Sequence, residues 1–179
     1  MADPAVDPTS APAISVIVPT HNRRALMVDM LHALEAQQAD TPPFELVAVG
    51  DGCRDGTAAM LDAWPAAFPI TIVELPGRGP AEARNAGAAA AKGDLLLFLD
   101  DDVTPLPGTV AAHWRAHAGE PDGAVIGPYP PVAHESADPF RLRMREWWNS
   151  HFAKLRRPGH RFAFRDVLTG NLSMPRRLW

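Results

Sequence analysis

Short apolar runs alternate with helical spacings along most of this chain. Residues 14–18 (Ile-Ser-Val-Ile-Val) predict a first strand, followed by the loop Pro19-Thr20-His21-Asn22. Asn22 is placed to cap a helix whose Leu26, Met30, Leu31 and Leu34 fall on one face. A second strand is predicted over 44–49, then the loop Gly50-Asp51-Gly52-Cys53-Arg54-Asp55-Gly56 and a helix over 57–67. The third strand covers 70–74. After the loop Pro76-Gly77-Arg78-Gly79, an alanine-rich helix opens at Pro80, a favourable first-turn residue, and ends at Gly93. The fourth strand, 94–99, is apolar almost throughout, as a strand buried on both faces should be. Beyond it the pattern loosens into a helix over 109–117, a short strand over 124–127, a proline-rich loop and a helix over 140–155.

Strands alternating with helices through short loops specify an α/β domain with a mostly parallel sheet and right-handed crossovers. Ligands of such sheets bind beyond the carboxyl ends of the strands. Thr20, Asn22, Asp51, Arg78 and Asp100-Asp101-Asp102 all follow strands and should converge there. The acidic triplet is the sharpest feature. Unit charges about 4 Å apart repel by roughly 4 kcal/mol at an effective dielectric near 20. Such a cluster persists if the side chains diverge, if one stays protonated or if a cation lies among them. Continued as a strand, the triplet would set Asp100 and Asp102 on one side and Asp101 on the other. Two convergent carboxylates suit Mg²⁺ or Mn²⁺; the plainer reading is a solvated acidic turn.

Composition narrows the picture. The 179 residues carry a net charge of −4, which argues against a dedicated nucleic-acid binder and leaves any anionic ligand to local features. Arg78 and Arg84 are the candidates for that task, with a structural salt bridge as the competing role. Cys53 is the only cysteine, so no intrachain disulfide can form and a cytoplasmic setting is the default. Residues 1–13 are polar and proline-rich and read as a disordered leader. The 140–155 helix sets Phe140, Met144, Trp147, Trp148, His151 and Leu155 on one stripe, with arginines over much of the rest. Such a helix, with its flank to 157, can rest peripherally on an anionic membrane, but the favoured reading is that it buries its tryptophans against the sheet. His113 and His117, four apart on a helix, read as a polar face.

Taken in order, the segments 14–22 (Ile-Ser-Val-Ile-Val-Pro-Thr-His-Asn), Asp51-Gly52 with Asp55-Gly56-Thr57, Ala83-Arg84-Asn85-Ala86-Gly87, Phe98-Leu99-Asp100-Asp101-Asp102 and Thr169-Gly170-Asn171-Leu172 resemble the family 2 glycosyltransferases. The resemblance implies a GT-A, Rossmann-like α/β fold over 14–179, incomplete at the C-terminus. Residues 14–104 would form the nucleotide-sugar-binding part and 105–179 a partial acceptor side. It implies a divalent metal, Mg²⁺ or Mn²⁺, at Asp100 and Asp102, and a nucleotide pocket including Pro19, Thr20, Asn22, Asp51, Arg78, Arg84 and Asp101. Asp51 would accept a hydrogen bond from the base, commonly uracil, and Gly170 and Asn171 would lie near the sugar and acceptor. The implied partners are a nucleoside-diphosphate sugar and a glycan, lipid or small-molecule acceptor.

Two departures stand out. Gly50 replaces the acid usual before the base-binding aspartate. The family's presumed base lies in a Glu-Asp pair downstream of the Gly-Asn loop, whereas here the last acid is Asp166; no general base is found, and the chain reads as truncated. A nucleotide-sugar-binding fragment without turnover is therefore the main alternative. A dinucleotide oxidoreductase has Gly50, Gly52, Gly56 and Glu74 in its favour, but leaves the triplet unexplained. A haloacid-dehalogenase-like phosphatase could use Asp100, but Lys154 is the only later lysine and no acidic pair follows.

Overall fold

The computed structural model describes residues 11–119, 121–131 and 138–179; the predicted leader therefore lies, up to residue 10, outside the described residues. Six strands form one sheet: β1 (Ile14–Thr20), β2 (Phe44–Asp51), β3 (Ile70–Leu75), β4 (Leu95–Leu99), β5 (Val125–Ile126) and β6 (Asn171–Pro175). Their order is β3-β2-β1-β4-β6-β5. The first four are parallel, with Ile14 opposite both Phe44 and Leu95. β6 runs antiparallel to β4 and to β5. The order reverses between β1 and β4, which opens a crevice at their carboxyl ends. Pairing with β4 ends at Ile17, before Pro19, which has no N–H to give.

Alternation along the strands divides the core. On one face Ile14, Val16, Val18, Leu46, Leu95, Leu97 and Leu99 pack against Met27, Met30, Leu31 and Leu34 of α1 (Arg24–Glu35), Leu61 of α2 (Thr57–Asp62) and Val110 of α4 (Thr109–Gly119). On the other, Ile17, Val47, Val49, Leu96 and Phe98 meet Ala83 and Ala88 of α3 (Pro80–Ala90). Small residues let α3 lie close to the sheet: a Cβ added at Gly87 would fall 2.5 Å from Ile17 Cγ2.

Several elements differ from their predicted form. α2 stops at Asp62 rather than near 67, because Pro65 withholds an N–H and disfavours helical backbone at Trp64. Asn22 does not cap α1. It adopts φ +51° and spends its Oδ1 on the Arg54 N–H (2.7 Å), while Asp55 Oδ2 accepts the Arg24 N–H (2.9 Å). β6 was not anticipated at all. In α5 (Pro139–Leu155) only Phe152 and Leu155 are buried; Trp148 packs on Tyr129 (4.9 Å between ring centres) and Trp147 stays exposed. Among the described residues no helix is long and apolar enough to cross a membrane.

Candidate active site

The crevice between β1 and β4 has a volume of about 330 Å³ and is lined by Pro19, Thr20, His21, Arg23, Asp51, Pro80, Ala83, Arg84 and Asp100 to Asp102. A second cavity of about 220 Å³ lies among Pro12, Leu34, Phe44 and Phe68, away from these groups.

Asp51 ends β2 and organises the neighbouring loop. Its Oδ1 accepts N–H bonds from Gly77 (3.0 Å) and Arg78 (2.7 Å), and its Oδ2 accepts one from Gly79 (2.6 Å). These donors, that of Arg78 foremost, hold its carboxyl below the usual carboxylate range. A carboxylate offers about four lone-pair sites, so a base donor can still be accepted. Loop 77–79 leads into the first turn of α3, from which Arg84 reaches across to Asp100.

The strand ends at Leu99, and Asp101 and Asp102 lie in a turn closed by the Val103 N–H donating to the Asp100 carbonyl (3.0 Å). Alternation along an extended strand therefore does not set the side-chain directions. Asp100 pairs with Arg84. Asp101 is buried, accepting from Thr20 Oγ1 and from Arg23 Nη1, both at 2.8 Å. The same bond, with the Asp101 charge, raises the Arg23 pKa above its ordinary value. Asp102 is the open member, its side chain 59% exposed and 3.5 Å from Arg23 Nη1.

Four carboxylates and two arginines line the crevice, an excess of negative charge. No three His, Cys, Asp or Glu side chains gather into a metal cage among the described residues. The donor set instead fits a hard divalent ion held by one or two carboxylates, with water and ligand phosphates completing its shell.

Beside the acidic turn, the Gly170 carbonyl accepts the Asp100 N–H (3.2 Å). A Cβ on Gly170 would lie 2.7 Å from the Tyr129 ring and 2.8 Å from Asp100 Oδ2, so a larger residue would have to displace one of these side chains. Tyr129, absent from the predicted site, thus adjoins it; burial first, then the Asp100 charge, pushes its phenol up. Its one sequence signal is that it is the chain's only tyrosine, set between prolines. His21, inside the Pro19-Thr20-His21-Asn22 loop, and Arg23, directly after it, also line the crevice and carry no sequence signal of their own.

Asn171 goes elsewhere. Its Oδ1 accepts from His113 Nε2 (2.9 Å), while Ser173 Oγ lies 2.7 Å from His113 Nδ1 and 2.9 Å from His117 Nε2. These histidines bind α4 to β6 rather than forming a polar face. Asn22 and the Arg78 side chain do not line the crevice either.

The comparisons agree with this architecture. Residues 15–176 match the model of glycosyl transferase family 2. An uncharacterized glycosyltransferase of Bacillus subtilis is 35% identical over 63% of this chain, and validoxylamine A glucosyltransferase of Streptomyces hygroscopicus 37% identical over 64%. The chain spans only 29% and 28% of those two proteins. Among solved structures, a Pyrobaculum calidifontis mannosyltransferase in complex with GDP-Man and Mn²⁺ matches with a TM-score of 0.65 at 26% identity, over 97% of this chain and 47% of its own. Staphylococcus aureus TarS in complex with UDP-GlcNAc matches at 0.60 and 25%, over 70% and 36%. The fold is the GT-A arrangement, and the chain belongs to glycosyl transferase family 2.

Proposed function

We propose that this chain binds a nucleoside-diphosphate sugar, UDP-linked by preference, and supplies the donor half of an inverting sugar transfer to an acceptor hydroxyl. The observation carrying this reading is the convergence of Asp51, Arg84 and the acidic turn on one crevice at the switch between β1 and β4. The base is assigned to the Pro19–Thr20 and Asp51 side. The diphosphate is assigned to the space between Arg84 and Asp102, where the N-terminal turn of α3 adds positive potential. Asp102 and Asp100 would hold a Mg²⁺ or Mn²⁺ ion, which would supply Lewis-acid stabilisation of the charge on the departing diphosphate. Arg84 adds charge-assisted hydrogen bonds to the same oxygens. Gly170 and Tyr129 shape the wall on which sugar and acceptor would meet. The similar structures, one in complex with GDP-Man and Mn²⁺ and another with UDP-GlcNAc, support the donor class.

One observation favours a second reading, donor binding without turnover. The acids near Gly170 are engaged or point to the diphosphate side: Asp100 is paired with Arg84 and Asp101 is tied to Thr20 and Arg23. Of the acidic turn only Asp102 stays open, and in the proposed complex the metal would occupy it.

Calorimetric titration with UDP tests the reading. Mn²⁺ or Mg²⁺ should tighten UDP binding by about tenfold or more, about 1.4 kcal/mol, and Asp102→Ala should abolish that gain. Equal, metal-independent binding by both proteins would overturn it. Donor binding with no product, from any acceptor offered, would favour the second reading.

A further inference from the structure

Residues 139–165 hold eight arginines and lysines against one carboxylate, Glu146, a local charge of +7 in a chain of net −4. The remainder therefore carries −11. Within this basic segment α5 turns Phe152 and Leu155 inward. Positions 140, 143, 147 and 154 recur at helical spacing and share another face. There Phe140 is 73% and Trp147 54% exposed, with Arg143 and Lys154 also in solvent. His151 stacks on Trp147 with ring centres 5.1 Å apart.

The chain then forms a tight turn, Phe164–Asp166, fixed by Asp166 Oδ2, which accepts the Ala163 N–H (2.9 Å) and meets His160 Nε2 (3.3 Å). That turn holds Phe162 and Phe164 outward, 62% and 94% exposed. Among the described residues no ion pair engages Arg143, Arg145, Lys154, Arg156 or Arg157.

The occupant of such a surface must accept aromatic rings and answer unpaired cations together. An apolar protein face would strand the arginines. A nucleic-acid strand would answer the charge, but the surface is the convex side of a helix and a projecting turn, not a groove that tracks a backbone. A bilayer interface offers both: phosphates at headgroup depth and acyl carbon just below, where aromatic rings settle and basic side chains reach outward.

We propose that α5 and the 156–165 segment rest on an anionic lipid surface, with Phe140, Trp147, Phe162 and Phe164 entering the headgroup layer. Tyr129 packs on Trp148 and Phe152 of α5 and abuts Gly170 beside Asp100, so docking brings the acceptor side of the crevice to the lipid. The surface stands on its own residues and does not depend on the donor reading.

Co-sedimentation of the full chain with vesicles provides the test. Binding to phosphatidylcholine mixed with phosphatidylglycerol should exceed that to phosphatidylcholine alone by tenfold or more, weaken with added salt, and shift tryptophan emission to the blue. A Trp147→Ser, Phe164→Ser double variant should lose most of this binding and keep its UDP affinity, which serves as the separate check on folding and on the donor site. Equal binding to both vesicle types overturns the proposal. So does single-stranded DNA binding as tight as vesicle binding and unaffected by the double variant, or a dimer that the variant dissociates without any vesicle binding by the parent.

Discussion

Three adjacent aspartates meet three different fates because the backbone turns beneath them. Asp101, the member that alternation would have sent away from its neighbours, is the one fixed by Thr20 and Arg23; it ties the end of β1 to the turn after β4. Asp100 is neutralised by Arg84, whose side chain is only 13% exposed. This pairing has a consequence for metal binding. With Arg84 in place, a cation must compete with a guanidinium for Asp100; a diphosphate that draws Arg84 away frees the carboxylate. Arg84→Ala should therefore strengthen binding of Mn²⁺ alone severalfold while weakening UDP by about 1.5–3 kcal/mol, the usual range for a hydrogen bond to a charged group. Electron paramagnetic resonance of free Mn²⁺ and calorimetry with UDP read the two effects. Unchanged Mn²⁺ affinity in the variant would show that Asp100 is not a ligand.

At the scale of elements, α4 and β6 are joined by the hydrogen-bonded row Asn171, His113, Ser173 and His117. With Asn171 Oδ1 as acceptor, His113 carries its proton on Nε2 and leaves Nδ1 to accept from Ser173 Oγ–H. Burial foremost, with the neighbouring His117 and against the Asn171 hydrogen bond, pushes the His113 pKa down from 6.5 to about 4. The neutral ring is thus the folded form. Between pH 6.5 and 4 the unfolded chain binds a proton that the folded chain refuses, so stability falls with pH across that window. The loss is about 3 kcal/mol once both states are protonated. Urea unfolding at pH 7 and at pH 4 should show this fall, and His113→Gln should remove most of it. Asp51, Asp55 and Asp166, whose pKa values lie below 3.8, contribute stability that disappears only at still lower pH. None of this row was legible in the sequence. Periodicity classes histidine as polar and turns it to solvent, whereas its partners lie 58 and 60 residues away on a strand that alternation did not mark. β6 is five residues long, two of them polar and one a proline, and it pairs with a strand more than seventy positions earlier. β1, β2 and β4 are legible because their apolar runs are buried on both faces, and β3, at the partly buried edge, through its β-branched Ile-Thr-Ile-Val run.

On the scale of the whole molecule, the crevice is assembled from segments that follow β1, β2, β3 and β4, so its integrity and that of the parallel sheet are one property. That is why the position of the site could be read from the alternation of strands and helices, while its inner connections could not. Asp51 and the acidic turn carry charge at strand ends, and Arg84 in the helix after β3, and are visible as such; Arg23 and Tyr129 join them only through the turn at Asp101 and the close approach at Gly170. A ligand held by all four segments must be released before the sheet can unfold, and so stabilises the folded chain by RT ln(1 + [L]/Kd), about 2.7 kcal/mol at a hundredfold excess over Kd. For a domain of this size that corresponds to a rise in Tm of about 5–10 °C. UDP with Mn²⁺ should produce such a shift in this chain alone, and UDP with a chelator a much smaller one. Asp51→Ala should reduce both shifts, and should also lower the starting Tm by releasing the Gly77, Arg78 and Gly79 N–H groups from their acceptor. A calorimetric scan that found the same Tm with and without UDP and Mn²⁺, at concentrations saturating for related transferases, would mean that these four segments do not form one donor site.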